Sequence, residues 1–230
     1  MISQNRVLAI IVTFNRLDLL KGAIGSLHAQ TFPCDILVIN NGSTDGTESY
    51  LSSLTDVQVI NQENIGGAGG FHTGLKYAAE HGYEFGWVMD DDVVALPDCL
   101  FQLISQYDRL SDAGEKIGFL CSKVENVDGL TVNVPFVSKR LNATGYAFWN
   151  QHLADGLVGV EAATFVSVLI PCERVREMGL PYKAFFIWGD DSEYTMRLSR
   201  DFLCYQVGRS RIKHLRVGST LSIYIFYFIQ

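Results

Sequence analysis

Short, continuous apolar runs alternate with segments of helical periodicity over the first half of the chain. Four such runs are typical of strands covered on both faces, at residues 7–14, 36–39, 57–60 and 85–89. Apolar residues at helical spacing predict helices between these runs, at residues 17–27, 47–54 and 71–80. Strands that alternate with helices form a parallel, doubly wound sheet. The sequence therefore predicts an α/β fold with a Rossmann-like, mostly parallel central sheet flanked by helices.

The pattern is less regular in the second half. Residues 126–155 contain glycine, asparagine, proline and aromatic residues that give no order of strands, and we interpret them as a substrate-side insertion. Around it, helices are predicted at residues 98–109, 172–178 and 190–201, and strands at 117–124, 164–170, 203–207 and 211–214. No repeat or linker divides the chain, so we expect a single domain over residues 1–230.

Composition is that of a globular protein and disfavours a nucleic-acid partner. Of 230 residues, 48% are hydrophobic and 19% are charged, and the net charge is −7 without a Lys/Arg-rich block. Nucleic-acid-binding surfaces normally carry a basic patch. The five cysteines are scattered, as expected for buried apolar residues in a reducing compartment. Since we recognise neither a secretory signal nor a membrane-spanning run, we expect a cytoplasmic protein.

Three consecutive carboxylates, Asp90, Asp91 and Asp92, follow the fourth apolar run. Because unpaired charges are unstable in a core, this pattern predicts a buried strand whose carboxyl end opens into a polar site. In an extended chain, Asp90 and Asp92 would converge while Asp91 faces elsewhere. Two converging carboxylates suit a hard divalent cation such as Mg²⁺ or Mn²⁺. The structural alternative is an acidic turn before a helix that begins near Asp98.

Two segments upstream of these acids suit a nucleotide. Residues 64–70 (NIGGAGG) follow a strand and precede a helix, where free backbone N–H groups favour an anion. Residues 40–47 (NNGSTDGT) offer amide, hydroxyl and carboxylate groups that can hold a nucleoside. Both segments also form good turns, so each alone is compatible with a structural role. Doubly wound sheets bind ligands at the carboxyl ends of their strands, where all these motifs lie.

A second acidic pair, Asp190 and Asp191, follows an aromatic run at residues 185–188 that we expect to be buried. Asp190 with Glu193 matches a capping box, which is the structural explanation. A carboxylate at a helix N-terminus is also kept ionised, so it can accept a proton as a general base. His214 is either a structural histidine or a further ligand of the metal site.

Taken in order, these motifs resemble a known family. IVTFNR, INNGSTDGT, NIGGAGGF, MDDD and WGDDSEYTMRL, with a later histidine, look like family 2 inverting glycosyltransferases of the GT-A fold over residues 6–218. The set is most similar to bacterial galactofuranosyltransferase- and rhamnosyltransferase-like members that build cell-surface polysaccharides. The resemblance implies a nucleotide-sugar-binding half at residues 1–124 and an acceptor and catalytic-base half at 125–218. An apolar tail at 219–230 is short for the family.

The resemblance also implies roles for individual residues. The nucleotide and donor sugar would contact Thr13, Asn15, Arg16, Asn41, Gly66, Gly67, Gly69, Gly70 and Asp91. The metal, Mn²⁺ or Mg²⁺, would be held by Asp90, Asp92 and His214. Asp191 would be the general base that deprotonates the acceptor hydroxyl, and Trp188 and Asp190 would shape the acceptor site. The family often has an acid where Asn40 stands, which leaves the base and ribose contacts open.

The implied activity is inverting transfer of a UDP- or dTDP-linked sugar, such as galactofuranose or rhamnose, to a hydroxyl of a glycan or lipid-linked acceptor. The alternative is a non-catalytic nucleotide-sugar-binding or scaffold protein with an incomplete acceptor side. A nucleotidyltransferase would need a lysine-bearing phosphate loop early in the chain, which we do not find. The apolarity of residues 219–230 further motivates association with the inner face of the cytoplasmic membrane.

Overall fold

The computed structural model describes residues 6–215, so the apolar tail predicted at 219–230 lies outside the described residues. Its strands are β1 (Val7–Thr13), β2 (Asp35–Asn40), β3 (Val57–Asn61), β4 (Phe85–Asp90), β5 (Val93–Ala95), β6 (Ile117–Glu125), β7 (Phe136–Val137), β8 (Leu157–Ala162), β9 (Val168–Pro171) and β10 (Leu203–His214). Its helices are α1 (Leu17–His28), α2 (Thr47–Ser52), α3 (Gly66–Glu80), α4 (Cys99–Asp112), α5 (Cys172–Met178) and α6 (Asp190–Asp201). Within residues 6–215, no helix combines the length and apolarity needed to cross a membrane.

The first half of the chain forms the predicted parallel sheet. Strands β3, β2, β1 and β4 lie side by side in that order, and every neighbouring pair is parallel. All residues of β1 are buried, which explains its continuous apolar sequence. The register places Thr13 beside Asn40 and Val12 beside Asp90. The polar residues that end these strands therefore meet at one edge of the sheet.

Both faces of the sheet are covered by helices. Alternate residues of β1 point to opposite faces. Ala9 and Ile11 pack in one core with residues of α1, α2 and α4, whereas Ile10 and Leu8 pack in the other with residues of α3, α5 and α6. The result is a three-layer α/β/α arrangement, as the sequence pattern predicts.

The second half makes the sheet mixed. Strand β9 lies antiparallel between β4 and β6, and β10 runs parallel to β6 but antiparallel to β5 and β8. The two strands predicted at residues 203–207 and 211–214 are one strand, with an irregularity between Val207 and Arg211. Because β10 continues past this bulge, it carries His214 to the acidic edge of the sheet.

The predicted buried strand at residues 164–170 is only partly correct. Strand β9 begins at Val168, and residues 163–167 form a turn and bend. Phe165 and Val166 are nevertheless buried in the core. The apolar run therefore reflects burial and not extended backbone, an ambiguity inherent in short runs.

The glycine-rich segment is a helix start and not a loop. Helix α3 begins at Gly66, several residues earlier than the pattern predicts. A Cβ atom at Gly70 would overlap the side chain of Val12, and one at Gly74 would overlap Ile10. These glycines let α3 lie close against β1, which accounts for part of the glycine content without a ligand.

Replacing Gly74 with alanine should lower the free energy of unfolding by about 1–3 kcal/mol, because the added methyl group overlaps Ile10 in a packed core. Gly22→Ala in α1 is the matched control. That position has open space around a Cβ, so alanine should stabilise the helix by about 0.5–1 kcal/mol. Urea unfolding measures both changes. Equal stability of the two variants would contradict the close-packing role of Gly74.

Candidate active site

The acidic cluster lies at the carboxyl ends of the parallel strands. Asp90 is the last residue of β4, and Asp91 and Asp92 form the turn that leads into β5. Strand β5 pairs with β10 so that Val93 lies beside His214, and the backbone N–H of Leu215 donates to the carbonyl of Asp92 at 2.7 Å. This pairing fixes the histidine next to the acids although they are far apart in sequence.

The groups predicted to hold a metal do come together. Asp90, Asp92 and His214 each offer one ligand atom, and these atoms lie within 4.8 Å of one another. Oδ1 of Asp92 lies 3.0 Å from Nε2 of His214. Among the described residues, this buried oxygen accepts no hydrogen bond of good geometry. Two ligands of an octahedral cation, each at about 2.1 Å, are about 3.0 Å apart, so the donor set fits a divalent cation.

Asp91 lies outside this donor set, but not through the alternation of an extended strand. The backbone turns at residues 91–92 and is not extended there. The hydroxyl of Thr13 donates to Oδ2 of Asp91 at 2.7 Å, and Arg16 donates from Nη1 to Oδ1 of Asp91 at 3.1 Å. The same Arg16 atom reaches Oδ2 of Asp92 at 2.9 Å. Arg16 therefore offsets charge on two neighbouring acids.

Burial and mutual repulsion shift the pKa values of the three acids unequally. Burial, followed by the charge of Asp92, raises the pKa of Asp90 to about 7, against the opposing effect of His214. Burial likewise raises the pKa of Asp91, although Thr13 and Arg16 oppose it. Burial also acts to raise the pKa of Asp92, but contacts with His214 and Arg16 outweigh it and lower the net value. Added positive charge beside Asp90 would therefore be stabilising.

The second acidic pair begins helix α6, as predicted, but not as a capping box. The N-cap residue is Gly189, with a φ of 95°, and α6 starts at Asp190. Glu193 pairs with Arg197 at 2.8 Å and does not return to the helix N-terminus. The capping-box explanation is therefore wrong, because the side chain that it requires is engaged elsewhere.

Asp190 and Asp191 lie in a partly desolvated environment. Asp190 is only 6% exposed, and burial followed by the charge of Asp191 raises its pKa to about 6. Burial also raises the pKa of Asp191, opposed by hydrogen bonds that include one from the backbone N–H of Ser192 at 2.6 Å. The charge of Asp191 contributes in turn to the raised pKa of Asp90. The charge of Asp191 therefore acts on the cluster of three acids.

The aromatic loop, residues 181–188, is exposed from Tyr182 to Trp188, so the prediction of buried aromatics is wrong. Trp188 is 66% exposed, and Phe186 and Ile187 are more than half exposed. Phe186 and Trp188 have φ values of 58° and 69°, a conformation that is costly for large side chains. The loop is anchored through its backbone, because the N–H of Ala68 donates to the carbonyl of Phe186 at 3.2 Å. The aromatic side chains consequently point outward beside Asp190.

The asparagines predicted to contact the nucleotide mainly hold loops together. Asn15 has a φ of 54°, and its Oδ1 accepts from the backbone N–H of Thr44 at 2.7 Å. Both ends of the buried Asn41 amide are occupied, since Nδ2 donates to the carbonyl of Gly66 at 2.8 Å and Oδ1 accepts from Gln62 at 2.7 Å. Nucleotide contact by these side chains stays a prediction.

Of the four glycines predicted to face the donor, only Gly67 borders open space. A Cβ at Gly66 would overlap the carbonyl of Phe186, and one at Gly69 would overlap Ile65. These two positions, like Gly70, are explained by packing. Gly67 is the position where the start of α3 can approach a ligand closely.

One polar residue at the site is not predicted from the sequence. Oδ1 of Asn133, in the insertion, lies 2.9 Å from Nδ1 of His214. Asn133 stands among irregular polar and apolar residues with no motif around it. Its partner is 81 positions away, so nothing local in the sequence could have indicated the contact.

Comparison with known proteins identifies the family. Residues 8–159 match the family model described as glycosyl transferase family 2. The chain belongs to glycosyl transferase family 2. The matched family region includes the three acids after β4, whereas Asp191 and His214 lie beyond it.

The names of two curated relatives of this family 2 chain describe sugar transfer. It is 27% identical over 207 residues to galactofuranosyltransferase GlfT1 of Mycobacterium tuberculosis, covering 86% of this chain and 66% of the relative. It is 28% identical over 162 residues to undecaprenyl-phosphate mannosyltransferase of Micrococcus luteus, covering 68% and 64%. The chain thus spans slightly less than two thirds of the length of these relatives.

Solved structures of low identity show that the family 2 chain has the GT-A fold. GalNAc-T7 with UDP, GalNAc and Mn²⁺ aligns with a TM-score of 0.72 at 15% identity, covering 94% of this chain and 45% of that one. The mannosyltransferase PcManGT from Pyrobaculum calidifontis, in complex with GDP-Man and Mn²⁺, aligns with a TM-score of 0.63 at 19% identity, covering 94% and 58%. The fold implied by the sequence motifs is therefore confirmed.

Asp190→Asn should raise the free energy of unfolding by about 1–3 kcal/mol at about pH 8, because asparagine removes the cost of ionising a buried carboxyl whose pKa is raised to about 6. The folded state binds this proton more tightly than the unfolded state, so the native aspartate loses stability as the pH rises through its folded pKa. The gain should disappear below about pH 4, where both states are protonated.

Urea unfolding at both pH values measures this difference. Asp201→Asn, exposed at the other end of α6, is the matched control and should change stability by no more than about 0.5 kcal/mol. A gain at Asp190 that is independent of pH would contradict the electrostatic explanation.

Proposed function

We propose that this protein is a metal-dependent, inverting glycosyltransferase that uses a UDP- or dTDP-linked sugar, such as galactofuranose or rhamnose, as donor. The observation that carries the proposal is the convergence of Asp90, Asp92 and His214. Asp191 is near enough for its charge to contribute to the raised pKa of Asp90. The site combines a donor set for a divalent cation with a carboxylate that can take a proton. Family membership supports the class of reaction.

The donor would bind with its diphosphate at Asp90, Asp92 and His214. A bound Mn²⁺ or Mg²⁺ would offset the negative charge that develops on the departing nucleoside diphosphate. Asp91, held by Thr13 and Arg16, would meet the ribose or the sugar. Gly67 leaves room for the nucleotide at the start of α3. The names of solved neighbours with Mn²⁺ and UDP or GDP-Man support this choice of ligand.

The proposed base is Asp191. Its carboxylate would take the proton of the acceptor hydroxyl while the hydroxyl oxygen forms a bond to the anomeric carbon. The bond between that carbon and the diphosphate oxygen breaks in the same displacement, which inverts the configuration. Burial raises the pKa of Asp191, which makes it a stronger base than an exposed aspartate.

The acceptor would lie against the aromatic loop, with Trp188 and Asp190 beside the reacting hydroxyl. An exposed tryptophan just before the N-cap residue of α6 provides an apolar surface for a sugar ring or a lipid-linked acceptor. The names of the curated relatives include a galactofuranosyltransferase and an undecaprenyl-phosphate mannosyltransferase, which support a role in cell-surface polysaccharide synthesis. We place this activity in the cytoplasm, at the inner face of the cytoplasmic membrane for a lipid-linked acceptor.

The first test incubates the protein with a panel of UDP- and dTDP-sugars, Mn²⁺ and candidate acceptors, and measures release of nucleoside diphosphate. Asp191→Asn should lower kcat by about 10²–10⁴-fold while nucleotide binding is retained, because it removes the base and keeps the shape. Unchanged turnover in this variant would remove the assignment of Asp191. Nucleotide binding by wild type without any turnover would favour the alternative of a non-catalytic nucleotide-sugar-binding protein.

The second test measures Mn²⁺ binding directly by calorimetry. Asp92→Asn should weaken binding by more than about tenfold, because it removes a charged ligand beside His214. The control, Asp98→Asn, changes an exposed acid a few residues away and should leave the affinity unchanged. Equal weakening by both substitutions would show that only general negative charge attracts the ion.

A further inference from the structure

Asn133 makes two side-chain contacts that connect the insertion to the metal site. Its Oδ1 lies 2.9 Å from Nδ1 of His214, and its Nδ2 donates to Oγ1 of Thr164 at 3.2 Å. In this orientation of the amide, the nitrogen donates to Thr164 and the carbonyl oxygen faces the imidazole. A carbonyl oxygen can only accept, so this contact requires a proton on Nδ1 of His214.

The position of that proton decides whether His214 can bind a cation. A neutral imidazole carries one N–H, and the other nitrogen holds the lone pair that ligates metal. Nε2 is the nitrogen that faces Asp92, at 3.0 Å from Oδ1. The imidazole can ligate a cation beside Asp92 only when Nε2 carries no proton.

Asp92 alone favours the opposite arrangement. A carboxylate oxygen at 3.0 Å attracts a proton to Nε2, which would block the lone pair. The acceptor at Nδ1 counteracts this preference, since one neutral ring cannot keep both protons. The two contacts on His214 therefore compete, and Asn133 favours the form that leaves Nε2 open.

The backbone around Asn133 holds the amide oxygen of this residue beside His214. Asn133 has a φ of 48°, a left-handed conformation that asparagine, aspartate and glycine tolerate best. The preceding residues are tied to β6, because the N–H of Val132 donates to the carbonyl of Val124 at 3.0 Å. The side chain is thus held at the end of β6, beside His214 on the neighbouring β10.

We propose that Asn133 is a positioning residue that keeps His214 protonated on Nδ1, so that Nε2 is available to a divalent cation. This inference rests on the proposed metal site and assigns a role to a residue that touches neither the cation nor the substrate. It also makes metal affinity depend on the insertion, because Asn133 belongs to residues 126–155. Contacts of this kind typically change metal affinity by about 10–100-fold.

The test compares two substitutions that the left-handed backbone accepts. Asn133→Gly removes the acceptor without steric strain, and Asn133→Asp keeps an acceptor oxygen at the same place. Calorimetry with Mn²⁺ should show about 10–100-fold weaker binding for Asn133→Gly, and binding within about threefold of wild type for Asn133→Asp. Thermal unfolding confirms that both variants are folded. Asn142→Gly, at another turn of the insertion, is the control and should bind Mn²⁺ as wild type does.

A second readout is the nitrogen-15 spectrum of the His214 ring without added metal, at a pH where the ring is neutral, assigned by comparison with His214→Gln. Wild type and Asn133→Asp should show a protonated Nδ1, and Asn133→Gly should lose this signature. Wild-type affinity in Asn133→Gly, or equal weakening by glycine and aspartate, would overturn the role of Asn133 while leaving the metal site intact. Failure of wild type to bind Mn²⁺, or binding that Asp92→Asn does not weaken, would overturn the metal site and this role together.

Discussion

Repulsion among acidic side chains is the constraint on which the site depends. Five carboxyls gather at the carboxyl edge of the sheet, from Asp90, Asp91, Asp92, Asp190 and Asp191. Burial deprives them of solvent, so their charges must be offset by specific partners. Arg16 offsets charge on Asp91 and Asp92, and Nε2 of His214 lies 3.0 Å from Oδ1 of Asp92. Burial and the charge of Asp92 raise the pKa of Asp90 to about 7, so added positive charge beside Asp90 would be stabilising.

The fold brings these compensating groups from distant parts of the chain. Arg16 follows β1, and His214 ends β10 on the other side of the sheet. The short strand β5 links the two halves, because it follows the acids directly and pairs with β10. Within residues 6–215, the site is therefore complete only with residues from both halves of the sheet. The α6 acids are near enough to Asp90 for the charge of Asp191 to contribute to its raised pKa.

Much of this arrangement follows from local sequence. The buried strands of the parallel half are continuous apolar runs, and helix α6 has the bounds that the pattern predicts, Asp190–Asp201. Alternation along the chain predicts Asp90 and Asp92 as a metal-binding pair, the family resemblance adds His214, and the geometry brings the three together. The predictions that were wrong concern features that depend on residues distant in sequence. Glycine is required in α3 because the helix lies close to β1. The aromatic loop is exposed because its backbone is anchored to α3. Asn133 acts on a residue of another strand, which local patterns do not encode.

The contact between the aromatic loop and helix α3 fixes the loop backbone and leaves the outward side chains of the loop free to vary. The carbonyl of Phe186 rests where a side chain at Gly66 would be, and it also accepts the N–H of Ala68. On the loop side this join uses main-chain carbonyls, since that of Pro181 also lies 2.8 Å from Nδ1 of His72, so these hydrogen bonds do not depend on which side chains the loop displays. The outward positions at Phe185, Ile187 and Trp188 can therefore change identity while the start of α3 keeps its place. The surface that the loop presents beside Asp190 is in this way separable by mutation from the geometry of the α3 N-terminus.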